Sequence, residues 1–103
     1  MDGDLAGVVD ELTRRGFSED FRVVDGRLQV VGTRERLRPE DCAIVEYHRF
    51  EGISDPDDMA ILYAIESTSG VRGTLADAFG VYSDPATSAV MEDVPIRANG
   101  SGP

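Results

Sequence analysis

Hydrophobic residues near the start of the chain recur with the period of an α-helix. Within residues 2–16, the positions i, i+3, i+4 and i+7 of one apolar stripe are occupied by Leu5, Val8, Val9 and Leu12. Asp4 stands where an N-cap belongs, and Gly16 stands where helices commonly end in a left-handed residue. Phe17 follows as the apolar residue that often accompanies such an end. The pattern therefore predicts a helix over residues 2–16.

Beyond residue 20 the period shortens to that of β-strands. Two short runs rich in β-prone residues flank Asp25-Gly26, a dipeptide that accepts the positive φ angles of a tight type I′ turn. These runs predict a β-hairpin. Further strands are predicted over residues 43–50, 59–67 and 74–82, and the last of these segments also has fair helix propensity.

The predicted strands differ in how their two faces should be covered. Over residues 43–50, simple alternation separates one side, consisting of Ile44, Glu46, His48 and Phe50, from the other, consisting of Val45, Tyr47 and Arg49. Residues 59–67 are apolar on both sides until Glu66. That pattern is typical of a central strand covered on both faces.

After Asp84-Pro85 the periodicity ends. One short apolar pair, Val90-Met91, is followed by Pro and Gly, so we expect residues 86–103 to form a flexible or weakly docked tail. Residues 1–85 are expected to form a single α+β domain, with one N-terminal helix packed on a mostly antiparallel sheet of four or five strands, in two layers. Because one helix covers only part of such a sheet, we hypothesise that dimerisation buries its other face.

Composition restricts the classes of function. The chain has 103 residues, enough for one domain, and its ten arginines, absent lysines and twenty acidic residues give a net charge of −10. Such a protein is repelled by nucleic acid and by anionic membrane surfaces, because binding to either depends on cationic side chains. No apolar run approaches a membrane span, and the first residues are acidic where a secretory signal would be basic. We expect a cytoplasmic protein that binds neither nucleic acid nor membranes.

Four acidic side chains lie close together in residues 51–58, at Glu51, Asp55, Asp57 and Asp58. A calcium loop of the EF-hand type requires alternating ligands, a glycine at the sixth position and a glutamate at the twelfth, and that spacing is absent. Asp55 followed by Pro56 is typical of a turn instead. The turn is the favoured interpretation, and neither a metal nor a cofactor is predicted.

Two carboxylates lie in or beside apolar strand patterns and are better candidates for acid–base chemistry. Glu51 follows Phe50, and Asp77 lies within the predicted strand 74–82. Arg49 is the natural partner for one of them. A structural pair of arginine and carboxylate is favoured over a catalytic site, because buried charges are normally paired.

The other reactive side chains are interpreted as structural. Cys42 is the only cysteine, so no intrachain disulfide forms, and we expect it in the core. His48 is the only histidine and is expected on a strand surface, because no nearby Cys or His could share a metal with it. Arg34, Arg36 and Arg38 would line one face of an extended chain, as an anion-binding patch does. The neighbouring acidic residues favour a solvated edge strand.

Two segments resemble a group of small bacterial proteins of about this length. "RFEGISDPDDMAILYAI" matches their Arg-Phe-Glu-Gly, a loop ending in Pro-Asp-Asp, and a Leu-Tyr-Ala-Ile strand, while "GTLADAFGVYSD" matches a later Gly-x-Leu-x-Asp-Ala-aromatic-Gly-x-Tyr segment. The matching positions are Arg49, Phe50, Glu51, Gly52, Pro56, Asp57, Asp58, Leu62, Tyr63, Ala64, Ile65, Gly73, Leu75, Asp77, Ala78, Gly80 and Tyr82. Asp55 and Phe79 depart from the pattern, which often has Asn and Tyr there. With the helix and hairpin, the resemblance covers roughly residues 5–84.

Members of that family often carry the label "phosphoribosylpyrophosphate synthetase". That enzyme is much longer and has two similar domains, and its phosphoribosyl-binding loop leads from an apolar strand into paired acids and a Thr-Gly turn. No segment of this chain matches that loop, and the nucleotide-binding patterns GxxxxGKS/T and GxGxxG are absent. The resemblance therefore implies a family rather than a reaction.

Two functional hypotheses follow from the sequence. In the first, the chain is a small module that binds a protein partner or a second copy of itself, through a surface centred on Arg49, Glu51, Asp57, Asp58, Tyr63 and Asp77. In the second, with or without catalysis, a small ligand or divalent cation is bound by Arg49, Glu51, Asp58 and Asp77. A concave site that gathers these side chains would favour the second hypothesis.

Overall fold

The computed structural model describes residues 5–51, 59–78 and 85–97. In chain order its elements are α1 (Leu5–Arg14), β1 (Glu19–Val24), β2 (Arg27–Val30), β3 (Arg36–Leu37), β4 (Cys42–Glu51), β5 (Met59–Ser67), β6 (Arg72–Ala78) and α2 (Pro85–Glu92). A 3₁₀ turn, Pro39–Asp41, leads into β4. The strands form one open six-stranded sheet in the order β3-β2-β1-β6-β5-β4.

The end of α1 forms as its sequence predicts. Gly16 has a φ angle of +106°, and its N–H donates to the carbonyl of Thr13 at 3.1 Å. The N–H of Phe17 donates to the carbonyl of Leu12 at 2.9 Å. These two bonds make a Schellman motif, and the accompanying apolar contact joins Phe17 to Leu12 in one buried cluster. The predicted cap Asp4 lies outside the described residues.

The predicted hairpin is also confirmed. β1 pairs antiparallel with β2, and Val24 stands opposite Arg27 across the turn. Asp25 and Gly26 have φ angles of +52° and +75°. Both are positive, as a type I′ turn requires, and its twist matches that of the flanking strands.

The α+β class is confirmed, but the described residues form more elements than predicted: two helices, six strands and one parallel strand pair. β1 runs parallel to β6, with Glu19 opposite Gly73, so the sheet is mixed. The predicted strand 59–67 is confirmed, and the predicted strand 43–50 lies within Cys42–Glu51. The predicted strand 74–82 corresponds to Arg72–Ala78, and residues 79–82 lie outside the described part.

The second helix occupies a segment that we expected to be a flexible or weakly docked tail. In and after α2, the buried residues are Thr87, Val90, Met91 and Val94. They follow the helical spacing i, i+3, i+4 and i+7, but the stripe begins with a threonine, which weakens its apolar signal. Sequence reasoning missed α2 for this reason.

Each face of the sheet is covered by its own helix. α1 packs against Leu62 and Ala64, which define the α1 face. The α2 segment packs in one cluster with Ile65 and Leu75, which define the α2 face. The second face of β5 is therefore covered within the chain, so its apolar residues no longer require a dimer, and burial of the rest of that sheet face by dimerisation stays a hypothesis.

A β-bulge corrects the predicted sides of β4. The pairing register of β4 with β5 shifts between Ile44 and Glu46, so Val45 is an extra residue. Ile44 consequently lies on the α2 face with Tyr47 and Arg49, whereas Val45 packs in the α1 cluster. Simple alternation predicts Ile44 on the same side as Glu46. The extra residue at Val45 moves Ile44 to the opposite side of the strand.

The parallel contact of β1 with β6 predicts a severe effect of Gly73→Ala. A Cβ at Gly73 would contact the carbonyl oxygen of Glu19, and would lie 2.7 Å from its carbonyl carbon and 2.9 Å from Cε2 of Phe21. Backbone atoms of a central strand cannot move aside cheaply, so we expect the free energy of unfolding to fall by about 2 kcal/mol. Urea denaturation followed by circular dichroism measures this change.

Gly32→Ala is the matched control for this prediction. Its Cβ would lie 3.4 Å from Oε1 of Glu19, a flexible side-chain end. We expect a change within about 0.5 kcal/mol. A Gly73→Ala protein as stable as the Gly32→Ala protein would contradict the close approach of the two strands.

Candidate functional site

Three of the residues singled out in the sequence lie at one end of the α2 face. Arg49 pairs with Ile61, and Ile61 pairs with Asp77, so these residues form one row across three strands. The neighbouring row consists of Tyr47, Tyr63 and Leu75. Directly opposed residues have Cβ atoms about 5 Å apart. We call the polar members of the two rows the tyrosine–arginine cluster, which comprises Tyr47, Arg49, Tyr63 and Asp77.

Tyr63 lies at the electrostatic centre of this cluster. Burial raises the pKa of its phenol above the usual 10.0, and the carboxylate of Asp77 raises this pKa further. The positive charge of Arg49 opposes that shift by favouring the phenolate. Arg49 and Asp77 are themselves engaged in interactions within the chain. At neutral pH Tyr63 is therefore a protonated hydrogen-bonding group, and it is unsuited to act as a base.

Of the other predicted site residues, the structure describes only the strand position of Glu51. Glu51 ends β4 opposite Met59, while Asp57 and Asp58 lie outside the described residues. Convergence of Arg49, Glu51, Asp58 and Asp77 in one pocket therefore stays a prediction. In the described part of the chain, no group of three His, Cys, Asp or Glu side chains is arranged to hold a metal ion.

The tyrosine–arginine cluster borders the outer edge of β4, the last strand of the sheet. At Ile44 this edge is covered, because its N–H donates to the carbonyl of Pro95 and its carbonyl accepts from the N–H of Arg97, both at 2.8 Å. Ile96 bridges Ile44 in parallel. Along residues 46–51, no residue within 5–51, 59–78 or 85–97 pairs with the outer edge.

Exposed hydrophobic side chains lie beside this open edge. The exposed fraction is 42% for Tyr47 and 65% for Ile96. Among the described residues, Val31 is the only other exposed large hydrophobic side chain. It directly follows β2, far from β4 in the sheet, and its exposed fraction is 46%. Tyrosine and arginine are the residue types enriched at the energetic centres of protein interfaces. Tyr47 and Arg49 supply both at the same edge.

A second polar cluster, which sequence reasoning missed, lies on the α1 face. Arg15 donates from Nη2 to Oε1 of Glu46 at 2.9 Å and from Nη1 to Oε2 at 3.3 Å. Oε2 of Glu46 also lies 2.7 Å from Nε2 of His48. His48, expected on a strand surface, is thus half-buried and hydrogen-bonded. Alternation alone gave no sign of this cluster, because 31 residues separate Arg15 from Glu46.

The Glu46 cluster ties α1 to the sheet. The hydrogen bond from Arg15 is the main cause that holds the pKa of Glu46 below its usual value, against the opposing effect of burial. His48 adds a smaller lowering effect. Because the carboxylate is only 14% exposed and has two partners, its role is to hold the turn after α1 against β4.

Cys42 behaves as the sequence predicts. It is 3% exposed, in the α2-face core, and its thiol is free. Burial, with a smaller contribution from the carboxylate of Asp41, raises the pKa of the thiol to about 11. The neutral thiol is a poor nucleophile, so Cys42 is a core residue.

The Glu46 cluster predicts a pH-dependent effect of Glu46→Gln. A carboxyl pKa that is lowered in the folded state contributes stability above the unfolded pKa and loses it as pH falls through the folded value. We expect Glu46→Gln to lower the free energy of unfolding by about 1 kcal/mol at pH 7, since Arg15 is partly exposed and its bonds are screened. The difference should shrink below pH 4.5, the ordinary carboxyl value. Glu40→Gln, at an exposed glutamate, is the control and should change stability little at pH 7.

The environment of Cys42 predicts a protected thiol. We expect a disulfide reagent such as DTNB to label native protein at pH 8 only as fast as the protein unfolds, because the thiol is both buried and neutral. The same reagent should label the denatured chain at once. Rapid stoichiometric labelling of the native protein would contradict the buried position.

Neither α1 nor α2, the helices of the described residues, has the length and apolar character of a membrane span.

Comparison of the chain with protein-family models, with curated proteins and with solved structures found no match. The open β4 edge and the tyrosine–arginine cluster are the features of the described chain that point to a function.

Proposed function

We propose that the chain is a small protein-binding module whose binding surface is the open edge of β4 together with the tyrosine–arginine cluster. The proposed occupant is a second copy of the same chain, paired antiparallel through β4. The observation that carries this proposal is the outer edge of residues 46–51, unpaired within the described part of the chain and flanked by exposed Tyr47 and Ile96. A strand edge of this kind offers N–H and C=O groups to another strand.

The register of such a pairing follows from the position of the open stretch. A two-fold axis at His48 uses residues 46–50 of each copy and lies near the middle of the stretch. Because opposed residues share a face of the sheet, Tyr47 of one protomer would lie opposite Arg49 of its partner, and this contact would occur twice. A guanidinium over a tyrosine ring is attractive, so the edge is self-complementary. An axis at Arg49 would oppose two guanidinium groups and is disfavoured.

Net charge gives this association a characteristic response to salt. Each protomer carries a charge of −10, so two copies repel each other at long range. Salt shortens the range of this repulsion to about 8 Å at physiological ionic strength. The dimer should therefore tighten as the NaCl concentration rises. A basic foreign partner at the same edge would instead bind more weakly in higher salt.

The proposal predicts that Arg49→Glu disrupts association. The substitution removes the cation from both contacts with Tyr47, so we expect the dimer dissociation constant to rise by about tenfold or more. Sedimentation equilibrium over a range of protein and NaCl concentrations measures it. Arg27→Glu is the matched control, since it changes the net charge equally at an exposed position of β2, away from the β4 edge.

The outcomes of this experiment separate the alternatives. A wild-type protein that stays monomeric at about 1 mM in high salt refutes the second copy as occupant. If Arg49→Glu and Arg27→Glu weakened the dimer equally, the effect would come from net charge alone, and the β4 edge would be refuted as the interface. Circular dichroism of both variants checks that each is folded. Tyr47→Ser, which removes the ring without changing charge, should weaken the dimer as Arg49→Glu does.

A further inference from the structure

A second surface lies away from the β4 edge, on the α1 face of the hairpin. α1 packs against the β4, β5 and β6 side of the sheet, so it does not contact the hairpin through its apolar cluster. On this face of β1 and β2, Arg22 stands opposite Gln29, and Gln29 stands opposite Arg36 on β3. This end of the α1 face is therefore polar and rich in arginine.

A cavity of about 360 Å³ opens there, lined by Arg22, Gln29, Val31 and Arg34. None of these lining residues is acidic. Arg22 reaches the cavity from β1, whereas Arg34 reaches it from the turn between β2 and β3. One arginine from a strand and one from a turn thus line the same space, and their two guanidinium groups carry ten N–H donors between them.

The two arginines at this cavity lack the carboxylate partners that most arginines of the described chain have. Several arginines have a carboxylate of the described chain within 4.0 Å, namely Arg14, Arg15, Arg36, Arg38, Arg72 and Arg97. Within the described residues, Arg22 and Arg34 have none, although the chain carries twenty acidic residues. Two guanidinium groups with no described carboxylate within 4.0 Å therefore line one cavity, although Asp20 lies on the same face two residues from Arg22.

The backbone at Arg34 holds this residue in an unusual conformation. Its φ angle is +64°, and its N–H donates to the carbonyl of Val30 at 2.7 Å. Nε2 of Gln29 donates to the carbonyl of Arg34 at 3.4 Å. A left-handed residue in a turn is ordinarily Gly, Asn or Asp, so an arginine here is disfavoured by its own backbone. The turn therefore holds Arg34 in a backbone conformation that is unfavourable for arginine.

We propose that this cavity binds the phosphate group of a small organic phosphate. Guanidinium forks match the oxygens of phosphate, and two of them can grip one group from two sides. Val31, exposed at the rim, offers an apolar wall to the organic part. The charge of −10 excludes polyanions such as nucleic acid, so the site suits a compact anion. This surface is separate from the β4 edge, and the inference goes beyond the proposed function.

Nuclear magnetic resonance of arginine Nε–H groups tests the proposal with phenyl phosphate and inorganic phosphate as probes. Each is titrated against NaCl at matched ionic strength. We expect saturable shifts of the Nε–H signals of Arg22 and Arg34 and of the side-chain amide of Gln29. Phenyl phosphate should bind more tightly than inorganic phosphate, and Val31→Ser should remove that preference.

Arg34→Gly is the sharpest variant for this test, because glycine adopts the positive φ angle without strain. We expect it to keep or raise the melting temperature while weakening phenyl phosphate binding about tenfold or more. Arg22→Gln should weaken binding similarly, and Arg34→Lys should weaken it less. Arg27→Gln, on β2 of the same hairpin but outside the cavity lining, is the control and should bind as the wild type does.

Several results would overturn the proposal. If NaCl alone reproduced the changes in the Nε–H signals, these changes would report screening of surface charge and not phosphate binding. Equal shifts at Arg14, Arg27 and Arg38 would indicate general attraction of anions to arginine. A folded Arg34→Gly protein that binds phenyl phosphate as tightly as the wild type would exclude the cavity as the binding site.

Discussion

Burial of β5 on both faces is the constraint on which the rest of this structure depends. Leu62 and Ala64 face α1, whereas Ile65 faces the α2 segment, and all three are less than 2% exposed. A strand of this kind must lie inside the sheet and needs a helix on each side. Each helix is only ten or eight residues long, so neither covers a six-stranded sheet completely. α1 leaves the hairpin end of its face to polar side chains, and the tyrosine–arginine cluster occupies the β4 end of the other face. Both proposed binding surfaces are consequences of this incomplete coverage.

The bulge at Val45 gives β4 its division of roles. Because of the one extra residue, Ile44 packs in the core on the α2 face, whereas Glu46 lies on the α1 face. The same shift keeps Tyr47 and Arg49 on the face opposite Glu46. The strand therefore anchors a helix through a half-buried carboxylate on one side and presents an aromatic ring and a guanidinium on the other. Bulges commonly re-aim side chains in this manner near functional surfaces.

Sequence reasoning succeeded where the determining interactions are local. The end of α1 and the hairpin turn depend on Gly16, Asp25 and Gly26, whose backbone preferences act over a few residues. Arg49 and Asp77 lie in one row with Ile61 between them, and their pairing as a charged couple stays a prediction.

The features that sequence reasoning missed depend on distant pairings or on weak signals. The parallel pair of Glu19 and Gly73 joins residues far apart in the chain, and nothing local specifies it. The bulge at Val45 has no residue signature in the pattern of alternation. α2 was missed because Thr87 replaces an apolar residue at the start of its buried stripe. The cavity between Arg22 and Arg34 arises only once the hairpin and the β3 turn bring the two residues together. Long-range pairing therefore determines the candidate sites more than local preference does.

The distribution of arginine explains how one acidic chain can support two different kinds of recognition. Most described arginines are neutralised by carboxylates, so the long-range field of the molecule is negative and repels extended anions. At distances shorter than the screening length, however, the nearest groups dominate, and at the hairpin cavity these are Arg22 and Arg34. A small phosphate experiences mainly the two guanidinium groups, whereas a polyanion also meets the surrounding acids. If the proposed site binds phosphate, the negative net charge would disfavour large anions, and Arg22 and Arg34 would supply the attraction for a small one.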